Sequence, residues 1–323
     1  MINLISIKVN KGIICLLLVT INFHLSAQVQ DFTINRTVND DKSIDLSYVK
    51  KLPGSYYVFL KFTNITNCNT YEYKEVIDGY SGRLLSLKPI NAQQGIGFSL
   101  KYSTVMGKPN PRIDSLFQYI LPYKIGKKVK IYEAENIGEK YFGAEKPANW
   151  KSYVVNFSTP DTIFSMRKGI VVKIINEYDE GSSISKHYSS HRNSIIIEHE
   201  DGTFAEYKGF KKNSFKVKMG QIVYPQMQLG ITELFNKSEN NYRFDFNFYY
   251  LFNLKDFGNN ENRIFKDIQS RYKYLSPKFL TSEGFTTVDS KKEYTAVCNE
   301  TILFQEMTRS EKKKYAKDPS QFK

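Results

Sequence analysis

Short apolar runs that are separated by turn residues restrict what the middle of this chain can fold into. Two such runs, residues 195–199 and 204–207, flank Asp201-Gly202, and an Asp-Gly pair between strand-like runs is a strong hairpin signal. The chain contains 23 tyrosines and 23 phenylalanines, which are residue types that favour strands. The sequence therefore predicts a compact antiparallel β domain for residues 121–255.

The regions on either side of this domain have their own patterns. Four further strand candidates, separated by turn residues, predict a β-sandwich-like domain over residues 30–108; they are residues 55–63, 70–77, 83–87 and 97–103. Beyond the central domain we expect a C-terminal extension, residues 256–323. It would contain a helix at residues 264–274, a strand at 301–304 and a basic helix or tail from residue 311. The predicted fold class is all-β with a short helical extension.

The first 27 residues have the composition of a secretory signal peptide. Lys8 and Lys11 precede an apolar stretch, residues 12–25, and Ser26-Ala27 provides a small-residue cleavage site. We therefore expect export to the periplasm or the extracellular space, with an uncleaved N-terminal anchor as the alternative. No later segment is long and apolar enough to span a membrane.

The formal net charge of +13 favours binding to anionic polymers, such as those of a bacterial envelope. The alternative to a specific anionic partner is that the lysines only keep a strand-rich protein soluble. Nucleic acid is not an expected partner because the basic residues are dispersed and no nucleic-acid-binding motif is present. Two cysteines lie beyond the signal segment, Cys68 and Cys298, and the sequence leaves open whether they pair.

Five segments in the central domain carry a family resemblance by their order, spacing and glycines. They are Tyr-Val-Val-Asn-Phe from residue 153, residues 160–172 ending in Gly-Ile-Val-Val, residues 195–207, Val-Lys-Met-Gly-Gln-Ile-Val from residue 217, and Tyr-Arg-Phe-Asp-Phe from residue 242. This pattern resembles the lysostaphin/LytM-type zinc endopeptidases (the duplicated hybrid motif fold), which cleave peptide cross-links in bacterial cell walls. The resemblance covers residues 121–250 and implies a LytM-like β domain there.

The zinc site of that family has no complete counterpart in this chain. The family uses an early His, a nearby Asp and the second His of a His-x-His strand motif, with further histidines that assist catalysis. Asn156 stands at the Asp position, Gly209 at the hairpin histidine, and Arg243 and Asp245 replace the two histidines of His-x-His. Because alternate residues of a strand share a face, we predict an Arg243–Asp245 ion pair in place of the metal. A solvated strand face is the alternative.

The resemblance then implies a pseudoenzyme with no catalytic residue, no bound metal and no cofactor. Its role would be to bind peptidoglycan peptides or to regulate a partner wall hydrolase. We expect the peptide groove of the active relatives to survive, lined by aromatic side chains, namely Tyr207, Phe210, Phe246 and Phe248.

Two other functions stay open. An active zinc endopeptidase would need non-standard ligands, for which His187, His191 and Asp245 are the candidates, because His187 and His191 are spaced i, i+4. A structural or adhesion protein would instead use its N-terminal β-sandwich. His199 is expected to be structural, and the carboxylates of Glu198 and Glu200 are expected at a solvated hairpin end.

Overall fold

The N-terminal part of the protein is a two-sheet sandwich. The computed structural model describes residues 31–134, 149–181, 189, 191–254, 257 and 271–322, so the predicted signal segment lies outside the described residues. Six strands form the sandwich: β1 (Phe32–Val38), β2 (Ile44–Lys50), β3 (Tyr56–Thr66), β4 (Glu72–Ile77), β5 (Ser81–Leu87) and β6 (Gly97–Met106). All neighbours are antiparallel, in the orders β1-β2-β5 and β4-β3-β6.

Alternation of buried side chains explains why the two sheets of the sandwich pack face to face. Ile44 and Leu46 of β2, and Val58, Leu60 and Phe62 of β3, are buried in one shared cluster. Successive strand residues point to opposite faces of a sheet, so each strand supplies alternate residues to the cluster and leaves the others outside.

The rest of the described chain builds a larger β structure. Its strands are β7 (Gln118–Ile120), β8 (Lys128–Glu133), β9 (Ser152–Phe157), β10 (Thr162–Phe164), β11 (Gly169–Ile175), β12 (Asn193–Glu198), β13 (Thr203–Phe210), β14 (Ile222–Val223), β15 (Gln228–Ile231), β16 (Glu233–Asn236), β17 (Asn241–Leu251), β18 (Tyr272–Tyr274), β19 (Lys278–Thr281), β20 (Gly284–Thr286) and β21 (Lys292–Thr295). The main sheet has the order β14-β11-β12-β13-β17-β9-β8-β21, and β16 and β18 also pair with β17. The fold is all-β with few helices, as the sequence predicts.

The hairpin predicted at Asp201-Gly202 is confirmed. It joins β12 to β13 antiparallel, and Gly202 takes a φ of +84°, which glycine adopts at little cost. The carboxylate of Asp201 accepts a hydrogen bond from the Thr203 backbone N–H (3.0 Å). This local chemistry fixes the register of β13, which is a central strand of the main sheet.

The C-terminal strands belong to the large β structure and are not an extension of it. β18 pairs with β17, β19 pairs in parallel with β7, and β21 pairs with β8. Phe279 of β19 and Tyr294 of β21 are buried in the same core cluster as β13 and β17. The boundary predicted at residue 255 therefore does not separate two structural parts.

The helices differ from those predicted. The helix expected at residues 264–274 lies mostly outside the described residues, and its last three positions form strand β18. The strand predicted at residues 301–304 is wrong, because this segment is helix α1 (Glu300–Leu303), whose N-cap Asn299 accepts a hydrogen bond from the Ile302 N–H. The basic C-terminal segment forms α2 (Arg309–Lys317), followed by a 3-10 helix (Pro319–Phe322).

The sandwich packs on the outer face of the main sheet. Val172, Ile196 and Phe204 form a small apolar cluster there, which Met106 at the end of β6 joins. The outer face of β11 and β12 is therefore an internal surface between the two β structures.

The described helices include none that is long and apolar enough to cross a membrane.

Candidate functional site

The four positions that the sequence resemblance assigns to a zinc site lie together in the structure. β17 runs between β9 and β13, and this places Arg243 opposite Asn156 and Asp245 opposite Lys208. Asn193 pairs with Phe210 and Ser194 with Lys208, so Gly209 is the extra residue of a β-bulge, where glycine is common. Its φ is +110°, and a Cβ at this position would overlap the Arg243 carbonyl oxygen.

The predicted ion pair between Arg243 and Asp245 is present and bidentate. Arg243 Nε donates to Asp245 Oδ1 and Arg243 Nη2 donates to Asp245 Oδ2, both at 2.8 Å. Each side chain is only 15% exposed, so the pair is not a solvated strand face. Two parallel charge-assisted hydrogen bonds are the strongest geometry that a guanidinium and a carboxylate can adopt.

A second guanidinium, from Arg192, completes the site, and no sequence pattern predicts it. Its Nη1 lies 2.9 Å from Asp245 Oδ2, its Nε donates to Glu233, and its Nη2 donates to the Arg243 carbonyl (2.9 Å). The Arg192 side chain is 3% exposed. It lies at the end of a Ser- and Lys-rich stretch that gives no sequence signal for a buried residue.

The four charged side chains form what we call the Arg–carboxylate network, consisting of Arg192, Glu233, Arg243 and Asp245. The Phe235 ring centre lies 5.0 Å from each guanidinium carbon, a distance at which cation–π attraction operates. Two positive and two negative charges therefore balance in a poorly solvated place.

The pKa shifts show which carboxylate the guanidiniums hold best. Burial by itself would raise the pKa of Asp245, but Arg192 and Arg243 outweigh burial and hold that pKa below its ordinary value. Burial also raises the pKa of Glu233, and Arg192 offsets only part of this effect. Asp245 is the better-held carboxylate because it contacts two guanidiniums whereas Glu233 contacts one.

A zinc ion does not fit these residues. A catalytic zinc takes three protein ligands and keeps an open position, whereas both Asp245 oxygens already accept guanidinium N–H groups. Asn156 is an exposed amide whose oxygen accepts a hydrogen bond from Asn241 (3.1 Å). His191 is exposed beside Tyr178, and His187 lies outside the described residues. The described ranges contain no group of three or more His, Cys, Asp or Glu that could hold a metal.

The predicted aromatic groove is wrong. Tyr207, Phe210, Phe246 and Phe248 are each 0% exposed and belong to the main core cluster. The physical reason is that the face of β13 and β17 on which they lie is covered by other aromatic side chains, including Phe279 of β19. These residues hold the sheet together and line no surface groove.

The remaining predicted residues lie elsewhere. His199 is buried, and its Nδ1 lies 2.8 Å from the Lys168 carbonyl oxygen. The expectation that Glu198 and Glu200 share a solvated hairpin end is wrong for Glu198, which is 5% exposed because the sandwich covers it. Cys68 and Cys298 are both free.

Comparison with known proteins identifies no family from sequence. No protein-family model matches the chain, and no curated protein matches it. Solved structures that align include a chain of the SpoIIQ–SpoIIIAH pore-forming complex (18% identity, 42% of this chain and 84% of that chain, TM-score 0.26). Others are a putative M23 peptidase from Pseudomonas aeruginosa (12%, 61% and 83%, TM-score 0.26) and a zinc-containing peptidase from Vibrio cholerae (12%, 67% and 74%, TM-score 0.25). TM-scores this low support no conclusion about function.

Proposed function

We propose that this protein is a catalytically inactive relative of the LytM-type zinc endopeptidases, which acts in the bacterial envelope by binding peptidoglycan peptides or by regulating a partner wall hydrolase. The observation that carries the proposal is the Arg–carboxylate network. Asp245 is the only one of the four family positions with a metal-binding side chain, and two guanidiniums engage both of its oxygens.

The energetics of the network oppose zinc binding. A zinc ion at Asp245 would leave the 3% exposed guanidinium of Arg192 with one carboxylate fewer, and would stand beside the permanent charge of Arg243. Breaking one partner out of a buried pair costs about 3–5 kcal/mol. Arg243 also cannot activate a water nucleophile, because its guanidinium stays protonated and has no lone pair with which to accept a proton.

A binding role in the envelope is supported by charge and by the leader-like N-terminus. The net charge of +13 favours acidic wall polymers and the carboxylates of wall peptides. The composition of residues 1–27 supports export to the periplasm or the extracellular space. The proposal needs no bound cofactor.

Metal content and peptidase activity test the catalytic half of the proposal. The purified mature chain is treated mildly with chelator, re-exposed to zinc and measured by elemental analysis, and its activity is assayed on cross-linked wall peptides. We expect zinc at background level and no cleavage. About one tightly held zinc per chain, lost in Asp245→Ala, would contradict the inactive state because a catalytic site binds one ion.

Co-sedimentation with purified peptidoglycan sacculi tests the binding half. We expect the intact chain to sediment with sacculi at physiological salt, and to be released by excess soluble wall peptides. Retention that is abolished by moderate salt alone would show only charge attraction. No retention would remove the peptidoglycan-binding form of the proposal and leave regulation of a hydrolase to be tested by activity assays.

A further inference from the structure

A cavity of about 280 Å³ lies between the sandwich and the main sheet. The sandwich contributes Gly54, Ser55 and Asp78, and the main sheet contributes residues 168–170 and 198–200. The cavity shares no residue with the Arg–carboxylate network, and nothing in the proposed function uses it. We call it the interface cavity.

One part of the interface cavity is apolar. Ile170 of β11 and Ile222 of β14 line it, and Ile222 is 49% exposed. Gly54 lets the sandwich approach closely, because a Cβ there would lie 2.5 Å from Glu198 Oε2 and would overlap Val172. This wall could accept a short aliphatic chain.

Carboxylates lie beside these isoleucines, because Glu198 is the cross-strand neighbour of Ile170, and Asp78 and Glu200 also line the cavity. Glu198 accepts hydrogen bonds from the backbone N–H of Ser55 (2.7 Å) and from the Ser55 hydroxyl. Asp78 lies 4.0 Å from the Lys108 ammonium, too far for a hydrogen bond. Glu200 is exposed and has no hydrogen bond or ion pair with any residue in the described ranges. Among the other lining carboxylates, Glu306 pairs with Arg167 and Asp78 faces Lys108, so Glu200 is the carboxylate that is open to a bound cation.

His199 lies beside the cavity, and its one free acceptor is enclosed within the protein. The Lys168 carbonyl can only accept, so His199 Nδ1 carries the proton of their 2.8 Å contact. Burial, with help from the charge of Arg167, lowers the pKa of His199 to about 3, so the ring is neutral and Nε2 is a bare acceptor. Nε2 is buried and has no partner among the described residues.

Lys168, which also lines the cavity, is already paired. Lys168 donates to the Glu306 carbonyl (3.0 Å) and to the Glu311 carboxylate (2.9 Å). Its charge is therefore committed to the C-terminal segment, and Lys108 is the one resident cation with a loose contact among the described lining residues.

We propose that the interface cavity binds an alkylammonium group of the kind that a lysine-type side chain of a peptide presents. The aliphatic stem would pack on Ile170 and Ile222, and the ammonium would donate to the carboxylate of Glu200. Amphipathic side chains are held in this way, with the stem on an apolar surface and the charged end among acceptors. The inference goes beyond the proposed function, because this cavity would be present whether or not the second β structure binds zinc.

A pair of matched probes tests the ammonium. Nα-acetyl-L-lysine amide and Nα-acetyl-L-norleucine amide, which differ only in the terminal amine, are titrated into the mature full-length chain by calorimetry or NMR. We expect saturable binding of the lysine probe, with the norleucine probe weaker by about tenfold or more, as loss of a charge-assisted hydrogen bond predicts. Equal binding of the two probes, or no saturable binding of either, would overturn the proposal.

Three surface positions supply variants that should leave the fold intact. Glu200→Gln should weaken the lysine probe roughly two- to fivefold, the range of an exposed charge pair. Lys108→Gln should strengthen it, because a competing cation is removed. Glu293→Gln, on β21 and away from the cavity, is the matched control and should leave the affinity unchanged. Equal effects of Glu200→Gln and Glu293→Gln would show that binding occurs elsewhere and would overturn the assignment.

Discussion

Substituting Arg192 by Met should destabilise the protein by about 3–5 kcal/mol, the cost of removing one partner from a buried ion pair. Methionine keeps an unbranched apolar stem and removes the charge and all N–H donors. Asp245 retains two 2.8 Å hydrogen bonds from Arg243. The cost therefore falls mainly on Glu233, whose side chain is 8% exposed and whose only hydrogen-bonded cation in the described structure is Arg192.

Urea unfolding at neutral pH measures this cost. The only tryptophan, Trp150, has its ring centre 4.5 Å from that of Tyr274, so its fluorescence reports loss of the main sheet. Arg83→Met is the matched control, because it breaks the Arg83–Asp45 pair, whose side chains are 66% and 37% exposed. Exposed pairs contribute about 0–1 kcal/mol, so the control should unfold close to the wild type.

The double variant Arg192→Met/Glu233→Gln separates a charge effect from a packing effect. Neutralising Glu233 removes the unpaired buried carboxylate, so the double variant should recover part of the stability that Arg192→Met loses. The loss in the single variant should also shrink as pH falls, because protonation of Glu233 has the same effect. An Arg192→Met protein within about 1 kcal/mol of the wild type would refute the reasoning, since this is the value of an exposed pair.

Three further predictions concern other contacts. Gly209→Ala should lower the free energy of unfolding in urea by about 3 kcal/mol or more. The new Cβ would overlap the Arg192 guanidinium, and the alanine would also have to adopt a strained positive φ. Gly54→Ala should loosen the sandwich from the main sheet, seen as faster hydrogen exchange at β12, because its Cβ would lie 2.5 Å from Glu198 Oε2. Burial opposes ionisation of Glu311, but its hydrogen bonds hold its pKa at about 2, below the ordinary 4.5. The contact of α2 with its neighbours should therefore be fully stabilised above about pH 4.5 and should weaken as pH falls toward 2. Hydrogen exchange of the α2 amides, measured as a function of pH, tests this.

Each of these predictions has a control variant or an outcome that would contradict it. Gly126 also has a positive φ, of +86°, but nothing lies within 4 Å of a Cβ there, so Gly126→Ala carries the backbone strain alone, about 1–2 kcal/mol. A Gly209 variant no worse than Gly126→Ala would contradict the overlap. Unchanged exchange at β12 in Gly54→Ala would contradict the tight interface, and Glu311→Gln should abolish the pH dependence of the protection of α2, taken relative to the intrinsic exchange rate at each pH.

The parts of the structure that the sequence predicts are those fixed by local chemistry. The Asp201-Gly202 turn and the alternation of side chains along β17 both act within a few residues, and they are sufficient to predict the hairpin and the Arg243–Asp245 pair. Helix α1 has only a weak local signal, because its N-cap Asn299 is a single residue ahead of a four-residue helix.

The parts that the sequence does not predict depend on distant partners. Alternation along β13 and β17 shows that Tyr207 and Phe246 share a face, but not that Phe279 covers that face. Arg192 lies in polar sequence, and its burial follows from carboxylates on β16 and β17 that no local pattern relates to it. Glu198 likewise has a polar, turn-proximal position, and it is buried only because Gly54 allows the sandwich to approach.

The parallel pairing of β7 with β19 affects how the chain can be made. Tyr119 pairs with Phe279, and Ile120 pairs with Leu280. Strand β7 therefore has no β19 to pair with until the ribosome has reached the last part of the sequence. At the usual rate of synthesis this delay is on the order of ten seconds. The six strands of the sandwich, by contrast, pair among themselves. Through that interval the strands of residues 32–106 already have their partners, whereas strands of the main sheet still have open edges, and this is the window in which a holding chaperone would be most needed.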